Sequence, residues 1–146
     1  MDPILEVRDV RKSYGDFVAV GGVSMTVPPG SIFGLLGPNG AGKTSTIRMI
    51  MNITAPDTGE ILVFGRPRTP ADLRRIGYLP EERGLYRKMT VMDQLLFRGE
   101  IRGLKRAALA PEIDRWLARV ELSKWAGSKI EELSKGNQQK VQLIGT

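Results

Sequence analysis

The chain has 146 residues, 41% hydrophobic and 26% charged, a balance that fits one ordinary globular domain with enough apolar material for a core. Its 22 Lys and Arg outweigh 16 Asp and Glu, and this scattered excess of +6 suits anionic partners without arguing for a nucleic-acid or lipid surface. Cysteine and histidine are both absent, which excludes disulfides, thiolate metal sites and the commonest general base.

In chain order, the opening "MDPILEVRD" lacks a signal-peptide pattern, and no run approaches the ~20 apolar residues of a membrane span, so a cytosolic setting is expected. "ILEVRDV" sets Leu5 and Val7 against Glu6 and Arg8, the period of two that predicts a strand. Val23, Met25 and Val27 alternate with Ser24 and Thr26 and predict a second, and "PPG" at Pro28 to Gly30 predicts a turn. "SIFGLLG" is nearly all apolar and reads as a strand buried on both faces, as in a parallel sheet. After a glycine-rich loop, Ile47, Ile50 and Met51 recur at helical spacing. "PDTGE" turns the chain, "EILVFG" and "IGYLP" read as short strands, and a small helix is expected near Ala71 to Arg75.

From about Thr90 the pattern turns helical. Thr90 and Asp93 form a capping box ahead of "TVMDQLLFRGEI". Ile113, Trp116, Leu117 and Val120 predict one amphipathic stripe, with Pro111 in that helix's first turn or at a kink. A further helix begins near Ser134 and carries Val141, Leu143 and Ile144. The organisation expected is a β subdomain and partial core over 1–89, a helical subdomain over 90–133, and the last helix start over 134–146.

Two stretches carry chemistry. "GPNGAGKTS", Gly37 to Ser45, fits G-x-x-x-x-G-K-[ST] through Gly37, Gly42, Lys43 and Thr44, in the strand–loop–helix context that this P-loop motif (Walker A) needs. Glycines let the backbone N–H groups of Gly37, Pro38, Asn39, Gly40, Ala41 and Gly42, proline excepted, turn toward a phosphate, and the helix start adds its dipole. Lys43 is expected to reach the outer phosphates, the Thr44 hydroxyl to ligate Mg²⁺, and Ser45 to complete the loop. The second stretch is "ELSKGNQQK", Glu132 to Lys140, which places L-S-x-G at a helix start.

With Tyr14 before the loop and "GYLPE" between the two motifs, this order resembles the ATP-binding subunit of ABC (ATP-binding cassette) transporters over essentially the whole chain. The resemblance implies an α/β fold: a P-loop NTPase core with an antiparallel β subdomain and an α-helical subdomain. It implies that Tyr14 stacks on adenine; without the motifs, an aromatic beside a hairpin turn is the plainer reading. It implies that Leu133, Ser134, Lys135, Gly136 and Asn137 form the signature motif, which serves ATP bound to an opposite subunit. Ser134 also reads as a plain helix cap, and the two roles are compatible. Lys135 and Asn137 depart from the family's usual Gly and Gln. Glu81 stands where the family usually has a Gln that touches Mg²⁺; it is either a ligand or part of a solvated acidic loop.

The partners implied are ATP, Mg²⁺, a second ATP-binding subunit and a transmembrane permease subunit that holds the protein at the cytoplasmic membrane, with no direct nucleic acid. The "YLPEERGLY" spelling resembles exporters. The strand ending in Asp (Walker B), the following catalytic Glu and a downstream His are not found in these residues, so the sequence reads as an N-terminal fragment that ends within the signature helix, before the Walker B strand, and is expected to lack hydrolysis. The alternatives are a soluble ABC-type ATPase acting on ribosomes or DNA, or a different P-loop kinase or GTPase, for which "GNQQK" supplies no guanine-reading motif.

Overall fold

The computed structural model describes residues 2–80 and 84–146. They divide into two compact units, Met1–Gly77 and Tyr78–Thr146.

The first unit is built on an antiparallel sheet. Strand β1 (Leu5–Tyr14) pairs with β2 (Phe17–Val27) and with β3 (Thr58–Val63), and β3 pairs with the short β4 (Arg66–Pro67), giving the order β2-β1-β3-β4. Gly15, at φ 59°, takes the positive-φ place in the two-residue turn between β1 and β2, where a side chain would be strained. The expected alternation holds from Leu5 to Val7 and then breaks. Asp9 turns to φ 41° and the register shifts between Val7 and Val10, so that both valines are buried three residues apart. Val7, Val10, Val20, Ile61 and Val63 form the core with Met49 from helix α1 (Lys43–Ile50). The small helix α2 spans Pro70–Leu73.

Several expectations for this unit need correction. Residues 31–36 form no strand; Ile32 is fully exposed and Leu36 is 92% exposed. A strand buried on both faces needs pairing neighbours and a layer on each side, and among the described residues no strand pairs with this run. "IGYLP" is likewise irregular backbone, not a strand. In α1 the buried residues are Thr46 and Met49, while Ile47 is exposed: the inward face is one position away from that predicted.

The second unit packs α3 (Val91–Glu100), α4 (Arg106–Arg119) and α5 (Lys135–Ile144), with 3₁₀ turns at Ser123–Trp125 and Ile130–Glu132. The Thr90 cap is present: its Oγ1 accepts the Asp93 N–H at 3.1 Å and donates to Asp93 Oδ2 at 2.8 Å. Leu95, Leu96, Ile113, Leu117, Leu122 and Val141 bury the common core. Each such residue, fully buried, stabilises the unit by about 1.5–3 kcal/mol. Three details differ from expectation. Trp116 is 43% exposed, with the Arg119 guanidinium 4.8 Å from its ring, so the stripe rests on Ile113 and Leu117. Helix α4 starts at Arg106, which puts Pro111 in its interior; Pro111 has no N–H for the Ala107 carbonyl. Leu143 is also exposed.

Candidate functional site

The glycine loop sits in the sheet unit, held from two sides. On one side, Gly42 takes φ 83° and lies so close to β2 that an added Cβ would meet the Ala19 carbonyl oxygen at 2.3 Å. Only glycine fits that place, on steric grounds alone. On the other side, the Lys43 ammonium turns back and donates to the Gly37 and Pro38 carbonyls at 2.6 and 2.7 Å. Ala41 N–H closes the loop onto Pro38 O at 3.2 Å.

The start of α1 differs from those of α3 and α5 and, like that of α4, has no side-chain cap. Thr90 caps α3 and Ser134 caps α5 with side-chain oxygens, whereas Gly42 gives α1 no side-chain cap and its first turn holds no acidic residue. The first-turn N–H groups therefore keep their capacity for an outside acceptor. Thr46, buried, anchors the helix inward by donating to Gly42 O at 2.9 Å. Gly37, Pro38, Asn39, Gly40, Ala41 and Thr44 are exposed, and Ser45 is half-buried. This set fits an oligophosphate: backbone donors, a positive dipole end and a lysine within nine consecutive residues, Gly37 to Ser45.

The fit to Mg²⁺ is of a particular kind. Among the described residues no group of three or more acidic or His residues could form a metal cage. An exposed Thr44 hydroxyl can contribute one oxygen, with phosphate and water oxygens supplying the rest, which is the manner in which Mg²⁺ is usually held. Glu81, the other expected ligand, lies outside the described residues.

Tyr14 ends β1 and pairs with Phe17 across the turn. Its ring is 48% exposed, and the Lys12 ammonium lies 5.6 Å from its centroid. Asp57 fixes this strand end by accepting from Lys12 Nζ and Ser13 N–H, both at 2.7 Å; that ion pair, with the backbone donor, holds its carboxyl below the ordinary range. Phe17 and Val18 are exposed beside Tyr14, and β2 runs on directly to Ala19 and Val20, where Gly42 touches it. The hairpin thus offers three apolar side chains one residue from the loop's contact. The sequence reading passed over Phe17 and Val18; two adjacent apolar residues at a hairpin tip, where strand alternation would bury only one, were the available signal.

The second stretch is in the helical unit. Leu133 is buried, Ser134 is the N-cap of α5, and its Oγ accepts the Asn137 N–H at 3.3 Å. Lys135 and Gly136 are exposed, and an added Cβ on Gly136 would meet nothing within 4 Å. Gln138 ties the helix start to the preceding turn, donating to Ile130 O at 2.9 Å and Leu133 O at 3.0 Å.

Comparison with known proteins places this architecture. The ABC transporter family model matches residues 20–146. The chain is 45% identical over 141 residues to the uncharacterized ABC transporter ATP-binding protein YhaQ of Bacillus subtilis, covering 97% of this chain and 47% of that one. It is 38% identical over 146 residues to the Nod factor export ATP-binding protein I of Cupriavidus metallidurans, covering 98% and 48%. The structure of cbiO1 from Clostridium perfringens, part of the ABC transporter complex cbiONQ, shares the fold with a TM-score of 0.82 at 23% identity, over 99% of this chain and 61% of that one. The chain thus spans about half the length of the curated relatives it matches. With an α/β P-loop NTPase fold and a family match over most of its length, it belongs to the ABC transporter family.

Proposed function

We propose that the complete protein is an ATP-binding subunit that couples ATP binding and hydrolysis to transport through a separate membrane subunit. The observation that carries this is the start of α1: an uncapped helix end, a glycine loop pressed on β2, and Lys43 within the loop. Lys43 exchanges its contacts with the Gly37 and Pro38 carbonyls for the outer phosphates. Residues Gly37 to Ser45 wrap the phosphates, and Thr44, with Glu81, contributes to the Mg²⁺ shell. When bound, that ion neutralises charge that builds on the phosphates as the bond breaks. Tyr14, with Phe17 paired to it across the turn, covers the base, a contact worth roughly 1–3 kcal/mol by analogy with base stacking on aromatics.

Leu133 to Asn137 serve ATP held by a second ATP-binding subunit, the exposed Lys135 adding a positive charge there. The partner face includes residues 84–89, where Tyr86 is exposed among Arg87 and Lys88. No described helix is long and apolar enough to cross a membrane; attachment to the cytoplasmic membrane through the permease subunit is part of the same proposal. Export is the favoured direction on the "YLPEERGLY" spelling and the Nod factor relatives, although relatives named for import match as well.

The test is calorimetric titration of ATP with Mg²⁺ into the chain and its Lys43→Ala variant. Loss of a charge-assisted phosphate contact is expected to weaken binding tenfold or more. Equal affinity in the two proteins would remove Lys43 from the site. The 146-residue chain itself is expected to bind ATP and release no phosphate above background, since no water-orienting Glu or His has been found in it.

A further inference from the structure

The end of β1 that carries Tyr14 runs past its partner on one side. Strand β3 pairs with β1 only as far as Arg11, opposite Thr58, so Lys12, Ser13 and Tyr14 keep β2 alone as a ladder neighbour. A strand end with one neighbour frays readily, and a ring carried on it is poorly fixed.

Asp57, the residue before β3, takes over the missing side. Its N–H donates to the Arg11 carbonyl at 2.9 Å. Its Oδ2 accepts the Ser13 N–H at 2.7 Å, in place of a ladder carbonyl, and its Oδ1 accepts from Lys12 Nζ at 2.7 Å. The resulting ion pair differs from the rest. The Lys12 side chain is 16% exposed, against 51% or more for the cation of every other ion pair among the described residues. Holding a lysine so still costs side-chain entropy, which the carboxylate contact offsets. What Lys12 lies over is the Tyr14 ring, with its ammonium 5.6 Å from the centroid, while Tyr14 stays 48% exposed. The ring is thus backed by a held cation and still open to a ligand.

We propose that Asp57 is a positioning residue for the nucleotide base: through the Ser13 N–H it sets the backbone beside Tyr14, and through Lys12 it sets the ring. A ring oriented in advance loses less freedom when a base stacks on it, so affinity rises without a new contact to the ligand. Asp57 acts only through these two residues. By charge alone a carboxylate opposes a polyphosphate, so a loss of affinity on removing it runs against the direct electrostatic effect. The inference rests on the reading that Tyr14 covers the base, and it names the residue that prepares Tyr14 for that contact.

The experiment measures, by calorimetry on the complete protein, the affinity for the β,γ-imido analogue of ATP and for tripolyphosphate. The two ligands share three phosphates and differ by adenosine, so the ratio of their affinities reads the base contact. Tyr14→Ala is expected to lower that ratio about tenfold. Asp57→Ala is expected to lower it about fivefold by weakening the analogue alone, with tripolyphosphate bound as in the parent or slightly tighter. Asp57→Asn keeps an acceptor for the Ser13 N–H and loses the ion pair; its ratio is expected between those of the parent and the Ala variant, and it serves where the Ala variant fails to fold. In a Tyr14→Ala background, Asp57→Ala is expected to change the ratio no further, because the two residues act as one unit. Equal weakening of both ligands in the Asp57 variants would mark a general effect on the fold and overturn the proposal. So would a parental ratio in those variants, or losses that simply add in the double variant. A parental ratio in the Asp57 variants beside a lowered one in Tyr14→Ala would leave the base reading standing. A parental ratio in Tyr14→Ala would overturn the base reading and this inference together.

Discussion

Two apolar runs of similar length differ completely in outcome. "SIFGLLG", residues 31–37, is irregular and exposed, with Ile32, Phe33 and Leu36 outside any core. "TVMDQLLF", residues 90–97, starts a capped helix and buries Val91, Leu95 and Leu96. The helix meets its backbone hydrogen bonds inside its own segment, so a local cap and one apolar face decide it. A strand meets its bonds only on neighbours, and an apolar sequence cannot supply those. The contrast separates what a segment specifies alone from what the rest of a fold must give it.

The largest expected effect comes from cutting into the better-packed region. Leu117 is fully buried in the helical core, and Leu117→Ala should cost about 2–5 kcal/mol through lost transfer and the cavity left. Leu36→Ala, at a residue 92% exposed, should stay within about 0.5 kcal/mol. Both tryptophans, Trp116 and Trp125, lie in the helical unit, so their fluorescence during urea unfolding reads Leu117→Ala, and far-ultraviolet circular dichroism at strand wavelengths reads Leu36→Ala in the sheet unit. Comparable losses in the two variants would mean that residues 31–36 are covered in solution and the contrast is wrong.

A smaller effect tests the two kinds of helix start. Ser134 caps α5 with its own oxygen, so Ser134→Ala should cost about 1 kcal/mol and Ser134→Gly only a few tenths. The same tryptophan signal measures both. Equal stability of parent and Ala variant would show that the hydroxyl contributes nothing to the fold and leave it only a role toward a ligand.

What could be read from residues alone divides along the same line. The Thr90 cap, the Ser134 cap and the Ile113–Leu117 stripe depend on neighbours within a few positions, and each stands as the spacing dictates. The strands at 31–36 and 76–80 depend on distant pairing and were misjudged. Trp116 was misplaced because an aromatic on the edge of an apolar stripe can lie outward under an arginine, which no periodicity reveals. In the loop, the motif placed Gly42, Lys43 and Thr44, but not the reason for Gly42: its contact with Ala19 joins residues more than 20 positions apart. Asp57 was unreadable for the same reason, since its partners Lys12 and Ser13 stand 45 and 44 positions away.

The last comparison concerns acid. The carboxyls of Glu6, Asp57 and Asp72, held below their ordinary values, all belong to the sheet unit. Asp72 is the clearest case. It is buried, accepts from the Thr69 hydroxyl and N–H, each at 2.7 Å, and takes a two-pronged Arg66 guanidinium at 2.7 and 2.9 Å. Those donors, the Thr69 hydroxyl first, bring its pKa down from 3.8 to about 2. A carboxylate with a lower pKa folded than unfolded binds protons more readily when unfolded, so its stabilisation is complete above the unfolded value. That stabilisation is lost as pH falls from about 4 through about 2. Because Arg66 is half exposed, solvent screens its share, and the effect should be the smallest of those considered. Urea unfolding followed by far-ultraviolet circular dichroism at strand wavelengths, repeated from pH 6 to pH 2, should show the sheet signal weakening before the tryptophan signal. Asp72→Asn should start lower and lose less across that window. An acid slope unchanged in Asp72→Asn would mean that the Thr69–Asp72–Arg66 cluster is present but does not stabilise the sheet unit.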